Sequence, residues 1–448
     1  MDRAFRVVVL GGDAAGMSAA SQVKRRVKSA EVIVLEKGED VSYGACGMPY
    51  NIGYKGNIND LVVMSAEDFR RKRGIDVRLL NEAIGVDVKT KSVAVRNHAT
   101  GRQYEISFDK LFIGTGARAN VPPIDIKAKE GVFTLKVLDD ARKIKAYIDS
   151  REPSRALLIG GGFINLELAE NLKRLGMDVI ILEKLDDILP GYERELVNIL
   201  KAHLEENGVK LITGVDVLGI DEKLIVKTNK GDFEADFVNI AAGITPNTDF
   251  LKDSPIVMQK GAIDVDRYFK TSVEDVYAGG DCAMIYHRLL DRNVYMPLGT
   301  NANKAGRLAG ANMVSAGEPF AGIVGTTLFK CFSLGVAKTG LSLEDARNEG
   351  YDAESITITA PTKAHGYPQQ GSITLSYVFD LLSGRLLGAQ MVGSFDAIWR
   401  VDVLASALYA QMTIRDIQGL DLAYSPPFAP VWDPILVCAN QAIKRVGK

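Results

Sequence analysis

The chain has 448 residues, 47 % hydrophobic and 25 % charged, the balance of an ordinary globular protein of roughly two to four domains, which excludes a peptide, a fibrous repeat or a long disordered chain. Lys and Arg (54) nearly match Asp and Glu (56), and a net charge of −2 offers no general attraction to nucleic acid or to an anionic membrane. The four cysteines, Cys46, Cys282, Cys331 and Cys438, form neither a C-x-x-C pair nor a metal spacing, and no apolar run approaches the roughly 18 residues of a membrane span, so a cytoplasmic protein without a metal site is expected.

Residues 6–37, RVVVLGGDAAGMSAASQVKRRVKSAEVIVLEK, read as a buried strand, a glycine turn, a helix of small residues and a second strand ending in an acid. That is a βαβ unit. The pattern returns at residues 156–184, ALLIGGGFINLELAENLKRLGMDVIILEK, with the first glycines, Gly11 and Gly160, 149 residues apart. Gly11 and Gly160 permit the tight turn after each strand. Gly162 lets backbone approach a pyrophosphate at a helix N-terminus, where free N–H groups and the positive end of the helix dipole favour an anion. Ala14, Ala15 and Gly16 complete the first turn. Glu36 and Glu183 end the second strands, 20 residues beyond Gly16 and 21 beyond Gly162, where a carboxylate takes both hydroxyls of an adenosine ribose; Lys37 and Lys184 follow them. Each unit departs from the G-x-G-x-x-G fingerprint once: Asp13 replaces the middle glycine of the first, and Asn165 the last glycine of the second. Two glycine-rich turns packed closely would not account for both glutamates.

Between and after these units lie three further segments. FIGTGA at 112–117, with Thr115 and Gly116, has the form of a return strand where the chain leaves the first nucleotide domain. AAGITPN at 241–247, with Gly243, resembles the return from the second, and VEDVYAGGDCA at 273–283 resembles the second flavin motif of disulfide-reductase-like flavoproteins, in which Asp281 holds a ribityl hydroxyl. FAD plus a nicotinamide nucleotide is therefore expected, with a discontinuous flavin domain (1–118 and 244–322) and an inserted NAD(P) domain (119–243). Glu183 would repel a 2′-phosphate and favours NADH, whereas Lys184 can accept NADPH, so both nucleotides stay open.

The reactive group expected beside such a pair is Cys46, in VSYGACGMPY at 41–50. Glycine on both sides gives backbone freedom, and Pro49 suits the first turn of a following helix, whose N-terminus would favour thiolate. The other three cysteines read as small buried hydrophobes. Because no second cysteine follows at short spacing, Cys46 either pairs with a small-molecule thiol as a mixed disulfide or is oxidised to sulfenic acid. From about residue 323 the pattern changes: residues 325–337, 371–380 and 386–392 read as strands and 399–412 as a helix, an α+β domain over 323–448.

SYGACGMPY at 42–50, the two nucleotide units, PLGTNANKAGR at 297–307, HGYP at 365–368 and LAYSPPF at 422–428 together resemble the coenzyme A disulfide reductase group. This is the single-cysteine branch of pyridine nucleotide-disulfide oxidoreductases, with NADH oxidase, NADH peroxidase and NAD(P)H sulfur or polysulfide reductase as relatives. The resemblance covers the whole chain and implies an α/β fold of two Rossmann-like domains plus a C-terminal dimerisation domain. It implies FAD with NADH or NADPH, and a Cys46 mixed disulfide with coenzyme A that is reduced to thiolate and free thiol. It also implies that Ser18, Gln22, Arg25 and Ser42 line a coenzyme A channel, with the basic run at 70–73 as a further phosphate contact, and that Ala302 lies at the cofactor. Tyr367 and Tyr424 would complete the active site of the opposite subunit in a homodimer. Departures bear on the substrate: Ala45 replaces an asparagine before the cysteine, Asn303 a channel histidine and Trp432 a channel lysine, while the peroxidase histidine falls on Ala14. Coenzyme A disulfide leads as substrate, with coenzyme A persulfide or polysulfide beside it. An NADH oxidase passing electrons to oxygen and a non-enzymatic redox-sensing flavoprotein are the alternatives.

Overall fold

The computed structural model describes residues 5–54 and 56–447, and the chain divides into two compact units. One runs to Asn120 and takes in Thr134–Ala146 and Ala242–Ile323; the other comprises Val121–Phe133, Tyr147–Ala241 and the chain from Val324 onward.

In the first unit a five-stranded sheet has the order Val276–Ala278, Lys110–Ile113, Arg6–Leu10, Glu31–Leu35, Asp76–Arg78. Its strands run parallel, with Val8 opposite Ile33 on one side and Leu111 on the other. A parallel sheet is covered on both faces, which is why these strands are apolar runs rather than alternating ones; Val7, Val8 and Val9 are all buried. The helix Ala14–Arg26 packs on the helix Gly299–Asn312 at backbone contact. A Cβ on Gly306 would fall 2.0 Å from Ala15 O, and one on Gly310 2.5 Å from Ala19 O, so the small residues of both helices set their separation. A meander of Asn81–Asp87, Ser92–Asn97 and Gln103–Ser107 adds a three-stranded sheet that periodicity did not foretell.

The second unit repeats the parallel arrangement in the order Val132–Phe133, Phe237–Ile240, Arg155–Ile159, Asp178–Leu182, Val209–Ile212. Leu157, Ile159, Leu182, Val238 and Ile240 centre its core. The same unit holds an antiparallel sheet in the order Thr327–Cys331, Leu334–Gly340, Leu386–Ser394, Ser372–Asp380, Ala353–Pro361. Residues 325–337 therefore form a hairpin and not one strand: Phe332 turns the chain with φ +52°, a conformation that neither its ring nor its neighbours announce. Buried Glu170, on the helix Phe163–Arg174, accepts the Phe332 N–H at 2.9 Å and pairs with Lys330, fastening the parallel part to the edge of the antiparallel sheet. The expected α/β class, with two parallel nucleotide-type sheets and a separate α+β portion, is borne out.

Candidate active site

The strand Arg6–Leu10 ends in a turn that only glycine can make. Gly11 has φ +97°, and a Cβ there would lie 2.1 Å from Gly114 O. Gly16 is as confined, since its Cβ would lie 1.9 Å from Gly11 O. Glu36 accepts the Gly12 and Gly38 N–H groups at 2.7 Å each, one on either carboxylate oxygen, and burial pushes its pKa above the usual carboxylate value. Each oxygen keeps a lone pair for a hydroxyl donor. Lys37 beside it is exposed. The following helix opens on Ala14, Ala15 and Gly16, side chains too small to block an anion at its first N–H groups.

Asp13, the departure from the fingerprint, turns its carboxylate to the Tyr43 N–H at 3.3 Å. Burial, reinforced by the charge of Glu36, pushes its pKa up to about 6 against the opposing pull of Lys136 and two backbone N–H groups. Asp13 thus links the glycine turn to the cysteine segment. Ser42 makes a second link, donating its N–H to Gly12 O at 2.9 Å from a left-handed backbone (φ +52°), a strained conformation held by bonds on both sides. Gly44 N–H to Leu61 O (2.8 Å) and Val63 N–H to Ser42 O (2.8 Å) fix the far edge. Arg142 adds a fork: its two terminal nitrogens reach Asp40 at 2.5 and 2.8 Å, and Asn59 Oδ1 accepts from the same guanidinium at 2.8 and 3.0 Å.

Cys46 sits in the turn Ala45–Gly47, immediately before the helix Met48–Gly53 with Pro49 in its first turn. It is the exposed one of the four cysteines. Burial raises the thiol pKa of Cys282, of Cys438 and of Cys331, the last to about 12, so these three stay protonated and inert at neutral pH.

The close packing of these two helices of small residues, Ala14–Arg26 and Gly299–Asn312, brings Ser18 Oγ to Asn303 Oδ1 at 2.9 Å. One turn along the first helix, Arg25 donates to Gln22 Oε1 at 2.6 Å. Of the basic run at 70–73, Arg73 reaches this helix, bonding Ser21 Oγ at 2.7 Å; Arg70 turns to Val77 O, and Arg71 and Lys72 pair with Asp68. Ala15, Gly280 and Ala302 meet so closely that a Cβ on Gly280 would lie 2.9 and 3.6 Å from the two alanine methyls. Asp281 pairs with Lys136 at 2.7 Å. Thr115 Oγ1 donates to Asn247 O (2.7 Å) and Asn247 Nδ2 to Thr115 O (3.0 Å). Gly116 and Gly243 both have positive φ, at +66° and +93°.

The second turn keeps the plan and changes the details. Gly160 has φ +103°, and Glu183 accepts Gly161 N–H at 2.6 Å and Leu185 N–H at 2.8 Å. A Cβ on Gly162 would meet nothing within 4 Å, leaving open space before the helix Phe163–Arg174. Lys184 pairs with Asp216 at 3.1 Å. Fully buried Asn165 donates to Ile159 O (2.9 Å) and Gly160 O (2.8 Å) and accepts from Asn239 at 2.8 Å. The two acid-anchored turns, each opening on a helix N-terminus, fit one dinucleotide apiece. In this second unit Tyr367 and Tyr424 stand exposed on loops that meet at an Ala364 N–H to Pro426 O bond of 3.2 Å. Among the described residues no group of three His, Cys, Asp or Glu is placed to hold a metal.

Sequence reasoning passed over Lys136, Arg142 and Asn239. A lysine and an arginine on an exposed-reading stretch carry no local signal of partners about 100 or more positions away, whereas an asparagine inside the apolar strand Phe237–Ile240 was a visible anomaly.

Two nucleotide-type sheets, two acid-anchored glycine turns and one exposed cysteine tied to the first turn define a flavoprotein-type disulfide oxidoreductase. Residues 5–306 match the Pyridine nucleotide-disulphide oxidoreductase family and residues 326–434 its dimerisation domain; the chain belongs to this family and is an NAD(P)H-dependent oxidoreductase. It is 38 % identical to an NAD(P)H coenzyme A polysulfide/persulfide reductase of Pyrococcus horikoshii over 97 % of this chain and 98 % of that one. It is 29 % identical to a coenzyme A disulfide reductase of Staphylococcus haemolyticus, over 95 % and 96 % of the two chains. The solved NAD-dependent persulfide reductase from A. fulgidus is similar with a TM-score of 0.94 at 37 % identity, covering 98 % of this chain and 83 % of that one. Among the described residues no helix is long and apolar enough to cross a membrane.

Proposed function

We propose that the protein reduces coenzyme A persulfide, polysulfide or disulfide with NAD(P)H through a mixed disulfide on Cys46. The observation that carries this reading is the exposed Cys46 on a segment bonded to the first glycine turn at both Ser42 and Tyr43. FAD on the first unit, when bound, would relay the electron pair of NAD(P)H to that disulfide. The flavin domain is assigned to 1–118 and 244–322, the NAD(P) domain to 119–243 and the dimerisation domain to 323–448.

The residues divide the work. Cys46 thiolate attacks one sulfur of CoA–S–S–R, forming Cys46–S–S–CoA and releasing RS⁻. Two electrons and one proton then return Cys46 thiolate and free coenzyme A thiol. For a persulfide the balance is CoA–S–SH + NAD(P)H + H⁺ → CoA–SH + H₂S + NAD(P)⁺. Ser18, Gln22, Arg25, Ser42 and Asn303 hold the coenzyme A, and Glu36, Asp281 and Ala302 the flavin. Gly160, Gly162 and Glu183 hold the nicotinamide nucleotide. With Glu183 anchored by two N–H groups where its charge would repel a 2′-phosphate, NADH is the preferred donor. Tyr367 and Tyr424 place hydroxyls at the thiol of the opposite subunit in a homodimer. The exposed Trp399, Phe428, Val431 and Trp432 of the second unit support that assembly, since a monomer rarely leaves such a set in water.

The test is NADH oxidation by FAD-loaded protein, anaerobically with coenzyme A persulfide, coenzyme A disulfide or polysulfide as acceptor, and separately in air with oxygen as the only acceptor. Cys46→Ser is expected to keep NADH-to-dye transfer and lose sulfur reduction. Sulfur reduction retained in that variant would remove the mixed disulfide, and oxygen as the fastest acceptor would make the protein an oxidase.

A further inference from the structure

We infer that Arg400 is a positioning residue that holds the two tyrosine loops in one arrangement, an inference that rests on the role proposed above for Tyr367 and Tyr424. Arg400 is the first residue of the helix Arg400–Tyr409. Arg400 Nε contacts Asp433 at 2.9 and 3.1 Å, and its terminal nitrogen pairs with the same carboxylate at 2.8 Å. Both partners are largely buried, at 12 % and 9 % side-chain exposure. The guanidinium has donors left over, and they go to main chain: Ala397 O at 3.3 Å, Thr362 O at 3.4 Å and Phe428 O at 3.4 Å.

Thr362 opens the loop that carries Tyr367, and Phe428 lies four residues beyond Tyr424 in the loop between the helices Ile414–Gln418 and Pro434–Ala442. Asp433, in turn, caps the helix Pro434–Ala442 through the Ile435 N–H at 2.9 Å. One planar cation therefore gathers two loop carbonyls and the start of a helix. The loops support each other at their crossing, Ala364 N–H to Pro426 O, and Lys363 is pinned to Asp396 at 3.0 Å. One terminal nitrogen of the guanidinium serves Asp433 and both loop carbonyls, and it stands one bond beyond the end of a lysine side chain, so lysine satisfies Asp433 as a point charge without reaching the two carbonyls. The buried pair thus specifies a geometry, the role for which burying an ion pair is best suited.

Arg400→Lys tests this, with melting temperature, dimer mass and NADH-to-dye transfer as controls and backbone hydrogen exchange as the direct readout. Exchange is expected to rise together at residues 363–368 and 424–428, with sulfur-reduction kcat falling about tenfold while NADH KM stays put. Arg400→Met combined with Asp433→Asn keeps the helix-cap acceptor and removes the fork without leaving a buried charge; it should give the same joint loosening. Exchange unchanged in both loops, or raised in one alone, overturns the inference. Joint loosening with unchanged sulfur reduction upholds the bracket and instead removes the tyrosines from the reaction.

Discussion

The two glycine turns of this chain solve one problem with opposite economies. In the first, the third fingerprint position is glycine because the helix rests on the turn: a Cβ on Gly16 would lie 1.9 Å from Gly11 O. In the second the same position is Asn165, and the turn carbonyls of Ile159 and Gly160 are not obstacles but acceptors for its amide. The middle position is exchanged in the same way. Gly162 faces open space, while Asp13 fills its counterpart and bonds Tyr43. A fingerprint glycine is compulsory only where backbone meets backbone; elsewhere a larger residue takes on another duty. Asp13 binds the cysteine segment to its turn, and Asn165 braces its own strand.

The largest expected effect breaks that contrast outright. Gly16→Ala drives a methyl into a main-chain carbonyl, costs about 3 kcal/mol or more and should yield protein without bound flavin, read from visible absorbance and thermal melting. Gly162→Ala, by comparison, should fold within about 0.5 kcal/mol of the parent and raise the KM for NADH, because the methyl occupies the approach to the helix N-terminus. An unchanged KM would mean that this space does not receive the nucleotide.

Next in size is Asn165→Ala, which leaves Gly160 O and the Asn239 amide without their side-chain partner and strips Ile159 O of one of its two donors, the Ala241 N–H remaining. A loss of about 3 kcal/mol is expected in urea unfolding. Since Asn239 Oδ1 is already buried without a partner, the double change Asn165→Ala with Asn239→Val should be less destabilising than the single one. Simple additivity would show that the two amides do not act as a unit.

How far the sequence carried this comparison follows from where each signal lies. Apolar strand, glycine turn and terminal acid fall within about 30 residues of one another, so both βαβ units and the placement of Glu36 and Glu183 against the glycine turns were legible from local pattern. The exposure of Cys46 against the burial of the other three cysteines was legible too, from flanking glycines and proline. Ion pairs such as Lys136 with Asp281, or Arg142 with Asp40, join residues 145 and 102 positions apart, and nothing local announces them. The hairpin at Phe332 was missed because its positive φ falls on an aromatic residue. The departures Asp13 and Asn165 were visible, but their meaning needed the partners, Tyr43 and Asn239, supplied by tertiary contact.

A smaller effect separates the two departures by pH. In the folded chain Asp13 keeps its proton up to about pH 6, whereas in the unfolded chain it ionises near the usual carboxylate value of about 4. Between these limits the folded state binds more protons, so this group makes stability fall as pH rises from about 4 to 6. Asp13→Asn keeps the acceptor for Tyr43 and removes the titration. The variant should gain on the order of 2 kcal/mol at pH 7 and nothing at pH 4, measured by denaturant unfolding of flavin-free protein. A gain of equal size at both pH values would place its origin in something other than the buried carboxylate.

The smallest effect concerns which nucleotide the second turn accepts. Glu183 is anchored by two N–H groups while Lys184, largely exposed, leans on Asp216. An exposed pair of this kind contributes within about 0.5 kcal/mol to stability, so Lys184→Ala should leave the melt unchanged. It should also leave the ratio of kcat/KM for NADPH over NADH within about twofold, because the anchored Glu183 sets the choice by repelling a 2′-phosphate. Asp216→Asn, which releases Lys184 without removing it, should raise that ratio. A fall in NADPH use on losing Lys184 would mean that the lysine exchanges Asp216 for a 2′-phosphate when the nucleotide arrives, and the second turn would then serve both donors.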